Sequence, residues 1–199
     1  MFYRRRLPYW QPNVGPGSLL FVTWRLAGSL PANLLGTENT EAAGRVFVAV
    51  DRRIDRAACG PVWLKDARIA QLVSNALQYG DPERHFYSLK AWVIMPNHVH
   101  LLLQPKVPLP AITRWLKGST ARRANQLLGR TGQAFWQDES FDHWIRDERE
   151  FNQVVRYIEY NPVSAGLVLS PSDWRWSSAW QAGESACPTI TQSRTDERL

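Results

Sequence analysis

The sequence is short of cysteine, of lysine and of long apolar runs, and each shortage removes a class of protein. Its two cysteines, Cys59 and Cys187, stand far apart with no metal-type spacing. A disulfide framework is therefore not indicated, and a reducing cytoplasm fits. No stretch approaches the roughly 20 apolar residues of a membrane span. The start does not read as a secretory leader, because Arg4-Arg5-Arg6 runs into Leu7-Pro8-Tyr9-Trp10 and not into an apolar segment. A soluble cytoplasmic protein with no membrane partner is expected. No internal repeat and no domain boundary is visible.

Lysine is scarce against arginine: four (Lys65, Lys90, Lys106, Lys117) of the 24 basic residues, in a chain of net charge +6 and isoelectric point near 9.7. A basic balance points to a polyanionic partner, a nucleic acid or an anionic surface. Arginine adds a planar fork that fits phosphate oxygens and guanine edges, although a G+C-rich genome would also favour arginine codons. Ten tryptophans could stack on unpaired bases, but core packing is the commoner use. Hydrophobic residues at 44% and charged residues at 21% of 199 are ordinary for one globular domain.

Along the chain, residues 1 to 17 read as a basic irregular arm. Residues 19 to 26 (L-L-F-V-T-W-R-L) form a strand by β-branched and aromatic content. After a loop over residues 28 to 37, Val46, Val50 and Ile54 recur every fourth residue, which predicts a helix over residues 40 to 58. Asp66 caps a second helix, residues 67 to 79, closed by Gly80. Residues 86 to 95 and 98 to 104 make an antiparallel pair around Met95-Pro96-Asn97. A helix follows over residues 109 to 128, then an extended aromatic segment, 135 to 145. Asp147 starts a helix with Glu150 placed for a capping box; it meets Pro162, which disfavours helical geometry at Asn161. The order gives an α+β fold, a central antiparallel sheet with helices packed on it. One domain over residues 1 to 181 and a disordered tail over 182 to 199 are expected.

Within the second strand of that pair, His98 and His100 lie two residues apart and so project from one face. Two neutral imidazoles side by side can share a metal ion, though a third ligand must come from elsewhere. Two hydrogen-bonded histidines on a half-exposed sheet would look the same. Downstream, Tyr157 and Asn161 are spaced i and i+4 on one helix face. That pairing suits a phenol nucleophile beside an amide that helps to hold a metal, or equally a core tyrosine and a helix-capping asparagine. His85 and His143 have no motif around them.

Taken together, H-V-H in a strand followed by Y-I-E-Y-N-P-V-S-A-G-L-V resembles the HUH single-strand transposases with one catalytic tyrosine, and among them the REP-associated tyrosine transposases. The likeness extends through F-V-T-W-R-L, A-W-V-I-M-P-N-H-V-H-L-L-L, L-K-G-S-T-A-R-R-A-N, F-W-Q-D-E-S-F-D-H-W-I-R-D and P-S-D-W-R-W-S-S, about residues 9 to 180. It implies a ferredoxin-like, RRM-like palm carrying a metal on His98, His100 and Asn161, with Tyr157 as nucleophile; Tyr160 competes but has no amide at i+4. It also implies Mg²⁺ or Mn²⁺, although imidazole alone would also suit zinc. The implied reaction cleaves and rejoins single-stranded DNA beside hairpin-forming palindromes through a 5′-phosphotyrosine. The setting would be the cytoplasm of a bacterium, at the nucleoid, with the protein a monomer or a homodimer. A hairpin-binding protein that no longer cuts and a phosphoesterase using water are the alternatives.

Six basic residues are candidate DNA contacts: Arg4, Arg5 and Arg6 in the arm, and Arg114, Lys117 and Arg123 on the helix of residues 109 to 128. That helix is expected to bury Ile112, Leu116 and Leu127, with Arg114, Lys117 and Asn125 opposite. Arg123 falls in the apolar stripe by spacing, a local conflict that marks a functional position or snorkelling.

Overall fold

In the computed structural model, residues 17–29 and 60–186 are described. Arg4, Arg5, Arg6, the helix expected over residues 40 to 58 and residues 187 to 199 lie outside them. The strands are β1 (Leu19–Arg25), β2 (Tyr87–Ile94), β3 (His98–Pro105) and β4 (Phe141–Ile145); the helices are α1 (Ala67–Gly80), α2 (Leu109–Leu127), α3 (Glu148–Ser164) and α4 (Ser178–Ala186). The strands form one sheet in the order β2-β3-β1-β4, every pair antiparallel. Among the described residues no helix is long and apolar enough to cross a membrane.

Helices cover both faces of this sheet, so its central strands are buried on both sides and read as nearly continuous apolar runs. On one face Val22, Trp24, Val99, Leu101 and Leu103 pack with Ile69, Val73 and Leu77 of α1 and Ile112, Leu116 and Ala124 of α2. On the other face Phe21, Val93 and Leu102 pack with Ile158 of α3. Alternation along β3 puts His98 and His100 on this second face. Trp24, Trp92 and Trp136 are buried, which is the core use of tryptophan, while Trp144 on the edge strand β4 is 42% exposed.

Asp147 caps α3, its carboxylate accepting from the Glu150 amide at 2.7 Å. Glu150 reaches one residue further back than in a capping box: Oε2 accepts from the Arg146 amide and Oε1 pairs with His143 Nε2, both at 2.7 Å. Burial alone would raise the Glu150 pKa, but its bonds to His143 and Arg146 outweigh that and hold it below the usual value. The end of β4 is thereby fastened to the start of α3.

Three expectations are corrected. The helix of Tyr157 does not stop at Asn161 but runs through Pro162 to Ser164. It ends in a Schellman motif, with Leu167 N bonded to Pro162 O and Gly166 N to Val163 O, both at 2.9 Å, and Gly166 at φ +70°. The bonded last turn carries the backbone past the proline. α4 extends to Ala186, beyond residue 181, where the tail was expected to begin. Along α2 the buried stripe is Ile112, Leu116, Thr120 and Ala124, with Asn125 buried as well and Leu127 46% exposed. The chain folds back over that side after Gly129, where Asn125 Nδ2 donates to Gln133 O at 2.7 Å. That rotation leaves Arg123 exposed.

Candidate active site

The hairpin that delivers the histidines is pinned on three sides. Met95 N bonds to His98 O at 2.9 Å, Leu26 N to Asn97 O at 2.8 Å and Leu64 N to Pro96 O at 3.2 Å. His98 and His100 are both fully buried, and their Nε2 atoms face each other at 2.9 Å. Each ring is held from behind: His98 Nδ1 lies 2.7 Å from Asn97 Oδ1, and His100 Nδ1 lies 2.7 Å from Thr23 Oγ1 on the neighbouring β1. This is how an outer partner fixes the tautomer and aim of an imidazole ligand.

α3 crosses above them. The Tyr157 ring stands 5.5 Å from the His100 ring and 6.0 Å from Phe21, centre to centre. One turn on, the buried Asn161 places Nδ2 at 3.3 Å from His100 Nε2, and its Oδ1 is buried with no hydrogen-bond partner. Tyr160 is 45% exposed under the Arg156 guanidinium, which lies 5.4 Å from its ring centre. Its ring packs with Arg156 on the exposed side of α3, whereas Tyr157 packs among the residues below. Tyr157 thus lies beside the histidines of its own chain.

The Asn161 amide is the incomplete member of this cluster. Asn97 Oδ1 is an acceptor, so His98 carries its proton on Nδ1 and offers a lone pair at Nε2. His100 must then donate from Nε2 to fill the 2.9 Å contact, which leaves it facing the Asn161 amide donor while the amide oxygen stays orphaned. With a cation present, both Nε2 lone pairs and the amide oxygen could be satisfied together once the amide turns over, with His100 Nδ1 donating to Thr23. The donor set therefore fits a metal with two imidazole ligands and one oxygen. No group of three or more His, Cys, Asp or Glu able to hold a metal occurs among the described residues; the oxygen donor nearest the two imidazoles on α3 is the Asn161 amide.

The other candidates are distributed differently. Arg114 and Arg123 are exposed and Lys117 half-buried on α2, across the sheet from the histidines. Lys117 Nζ donates to Asp138 O at 2.7 Å. His143 belongs to the Glu150 pair, and His85 is an exposed residue at φ +53° between α1 and β2. Thr23 and Asn97, which aim the imidazoles, were missed. Their only signals are adjacency, Asn97 beside His98 and Thr23 within F-V-T-W-R-L; the register that sets Thr23 opposite His100 is not written locally.

Residues 68–161 match the family described as Transposase IS200 like. A REP-associated tyrosine transposase of Escherichia coli K12 is 29% identical over 109 residues, 54% of this chain and 63% of that protein. A Haemophilus influenzae Rd relative ascribed to the same group is 29% identical over 111 residues, 48% of this chain and 61% of its own. The chain thus spans somewhat under two thirds of these relatives. The solved structure of a REP-associated tyrosine transposase bound to a REP hairpin shares the fold at a TM-score of 0.56 and 17% identity, covering 97% of this chain and 99% of that one. His98, His100, Tyr157 and Asn161 all fall inside the matched segment, just under half of the chain, and the chain is similar there to the IS200-like transposases and to the REP-associated tyrosine transposases.

Proposed function

We propose that the protein cleaves and rejoins single-stranded DNA next to hairpin-forming repeats, with Tyr157 as nucleophile and a divalent cation, Mg²⁺ or Mn²⁺, held by His98, His100 and Asn161. The single observation that carries this reading is the Tyr157 ring 5.5 Å from His100, beside an orphaned amide oxygen on the same helix face. The cation would supply positive charge that favours the phenolate and polarises the scissile phosphate. A free phenol ionises only near pH 10, so a neutral-pH nucleophile needs that help.

The chain's own residues do the positioning. Thr23 and Asn97 fix the imidazoles, and the Glu150 corner and α3 set Tyr157 above them. Attack of Tyr157 Oη forms a phenol oxygen–phosphorus bond and breaks the bond from phosphorus to the 3′ oxygen. The phenol loses its proton, and the released 3′ oxygen takes one up as a hydroxyl. The product is a 5′-phosphotyrosine that keeps the ester linkage, so a 3′ hydroxyl can reverse the step without ATP. Because Tyr157 serves its own chain's site, a monomer suffices. Arg114, Lys117 and Arg123 would track the DNA backbone on the far side of the sheet. The protein would act in the bacterial cytoplasm.

The test is covalent trapping. With Mn²⁺ and a labelled oligonucleotide carrying a hairpin and a single-stranded flank, wild type is expected to give a DNA adduct on a denaturing gel. Tyr157→Phe should abolish it and Tyr160→Phe should retain it. The reverse pattern would move the nucleophile to Tyr160. Cut product with no adduct and no need of either tyrosine would replace the reading with a water-using phosphoesterase; hairpin binding without cutting would leave a binding protein.

A further inference from the structure

Arg25 is the last residue of β1 and pairs directly with His98 across the β1–β3 ladder. Residues two apart in a strand share a face, and Thr23, two before Arg25, bonds His100 through its side chain. The Arg25 side chain therefore leaves the sheet on the histidine face, from a position where paired Cβ atoms lie about 5 Å apart. Its backbone is fixed at the strand end, where Gln137 N bonds to Arg25 O at 2.9 Å.

This guanidinium is incompletely satisfied. It is half-buried at the strand end, with the charge of Glu139 acting on it. Nη1 is buried with no hydrogen-bond partner. A partly desolvated guanidinium with one buried N–H unsatisfied is costly, and the Glu139 charge does not fill that donor. An anion over the histidine pair would complete it, and a phosphate diester suits the planar fork better than it suits a lysine.

We propose that Arg25 holds a phosphate of the DNA strand that Tyr157 attacks, the scissile phosphate or its immediate neighbour, from the β1 side of the histidine pair. The proposal rests on the function proposed above. It makes Arg25 the phosphate contact inside the site, whereas the exposed Arg114 and Arg123 lie on the opposite layer.

The test pairs a charge deletion in the DNA with one in the protein. Hairpin oligonucleotides carry a single neutral methylphosphonate at successive positions of the flank. The full chain is compared as wild type, Arg25→Gln and Arg25→Lys, by metal-free binding anisotropy and by Mn²⁺-dependent adduct rate. For wild type, one or two neutral positions should weaken binding roughly 10- to 100-fold, the worth of a charge-assisted bond. In Arg25→Gln those same positions should cease to matter while every other position keeps its effect. The adduct rate at saturating DNA should fall by a similar factor, with Arg25→Lys intermediate. Identical methylphosphonate profiles in wild type and Arg25→Gln overturn the proposal. So does a loss of affinity spread evenly over all positions, which marks a structural role. A wild type that neither binds nor forms an adduct overturns the parent reading, and this one with it. An adduct from wild type with an unmoved profile sinks Arg25 alone.

Discussion

The two faces of β3 solve opposite problems. Val99, Leu101 and Leu103 meet α1 and α2 across an interface that needs only matched volume. His98, His100 and Leu102 meet α3, and there each buried ring nitrogen has to be accounted for separately. The first face is closed by hydrophobic burial. The second is closed by a polar chain running from Asn97 through both imidazoles to Thr23 and Asn161, and that chain ends on an orphaned oxygen. A strand with one complete face and one incomplete face separates stability from chemistry within three consecutive residues.

Substitutions at neighbouring positions should break this contrast most sharply. His100→Ala is expected to reduce Mn²⁺-dependent adduct formation to background at saturating DNA, because it removes a proposed ligand and the ring beside Tyr157. The denaturing gel reads that loss, and a far-UV melt should still show a cooperative fold. Leu101→Ala, one residue on and facing the other way, should cost about 2–5 kcal/mol of unfolding free energy through a cavity in the α1–α2 core. Urea titration measures it. The adduct rate of the still-folded fraction should stay near wild type. If both variants lost stability and activity together, the division between the faces would be wrong.

A finer cut concerns the residue behind the ligand. Thr23→Val keeps the side-chain shape in β1 but removes the hydroxyl 2.7 Å from His100 Nδ1. Loss of such an outer partner typically weakens metal binding by roughly 10–100-fold. Loss of the free Mn²⁺ signal on titration reads it directly, without any turnover. An unchanged affinity would mean that Thr23 only fills space.

The same contrast decides what a reader of the sequence could see. The elements around the site were legible: 19 to 26, 98 to 104 and the Asp147 start all reflect local patterns, and β1, β3 and α3 follow them within a residue or so. That His98 shares a face with His100, and Tyr157 with Asn161, was legible too, because i+2 on a strand and i+4 on a helix are fixed by backbone geometry; that the two pairs belong together was implied only by the family resemblance. What was hidden depends on pairing between distant segments. That Arg25 sits opposite His98 and Thr23 opposite His100 follows from the β1–β3 register, which no local pattern specifies. On α2, spacing alone put Arg123 in the buried stripe, and only the fold-back after Gly129 shows why Asn125 takes the covered side. Pro162 misled for a related reason: the Gly166 motif that sustains the last turn lies beyond it.

The smallest expected effect lies at the corner that aims α3. Glu150 ties β4 to the helix through His143 and the Arg146 amide, and its pKa is lower in the folded protein than the ordinary carboxylate value of 4.5. The unfolded chain therefore binds the proton more readily, so Glu150 contributes its full stabilisation above about pH 5 and loses it as the pH falls through the depressed folded value. Glu150→Gln removes the charge and keeps an amide oxygen for the Arg146 bond. It should cost about 1 kcal/mol at pH 7, the upper range for a partly exposed ion pair. In urea titrations the gap between wild type and Glu150→Gln should then narrow as the pH drops below 4.5. A gap of equal size at pH 7 and at acid pH would show that the carboxylate charge is not what fastens the corner. The adduct rate adds a second reading, because a loosened corner would shift Tyr157, two turns along α3, and slow attack with no change in DNA affinity.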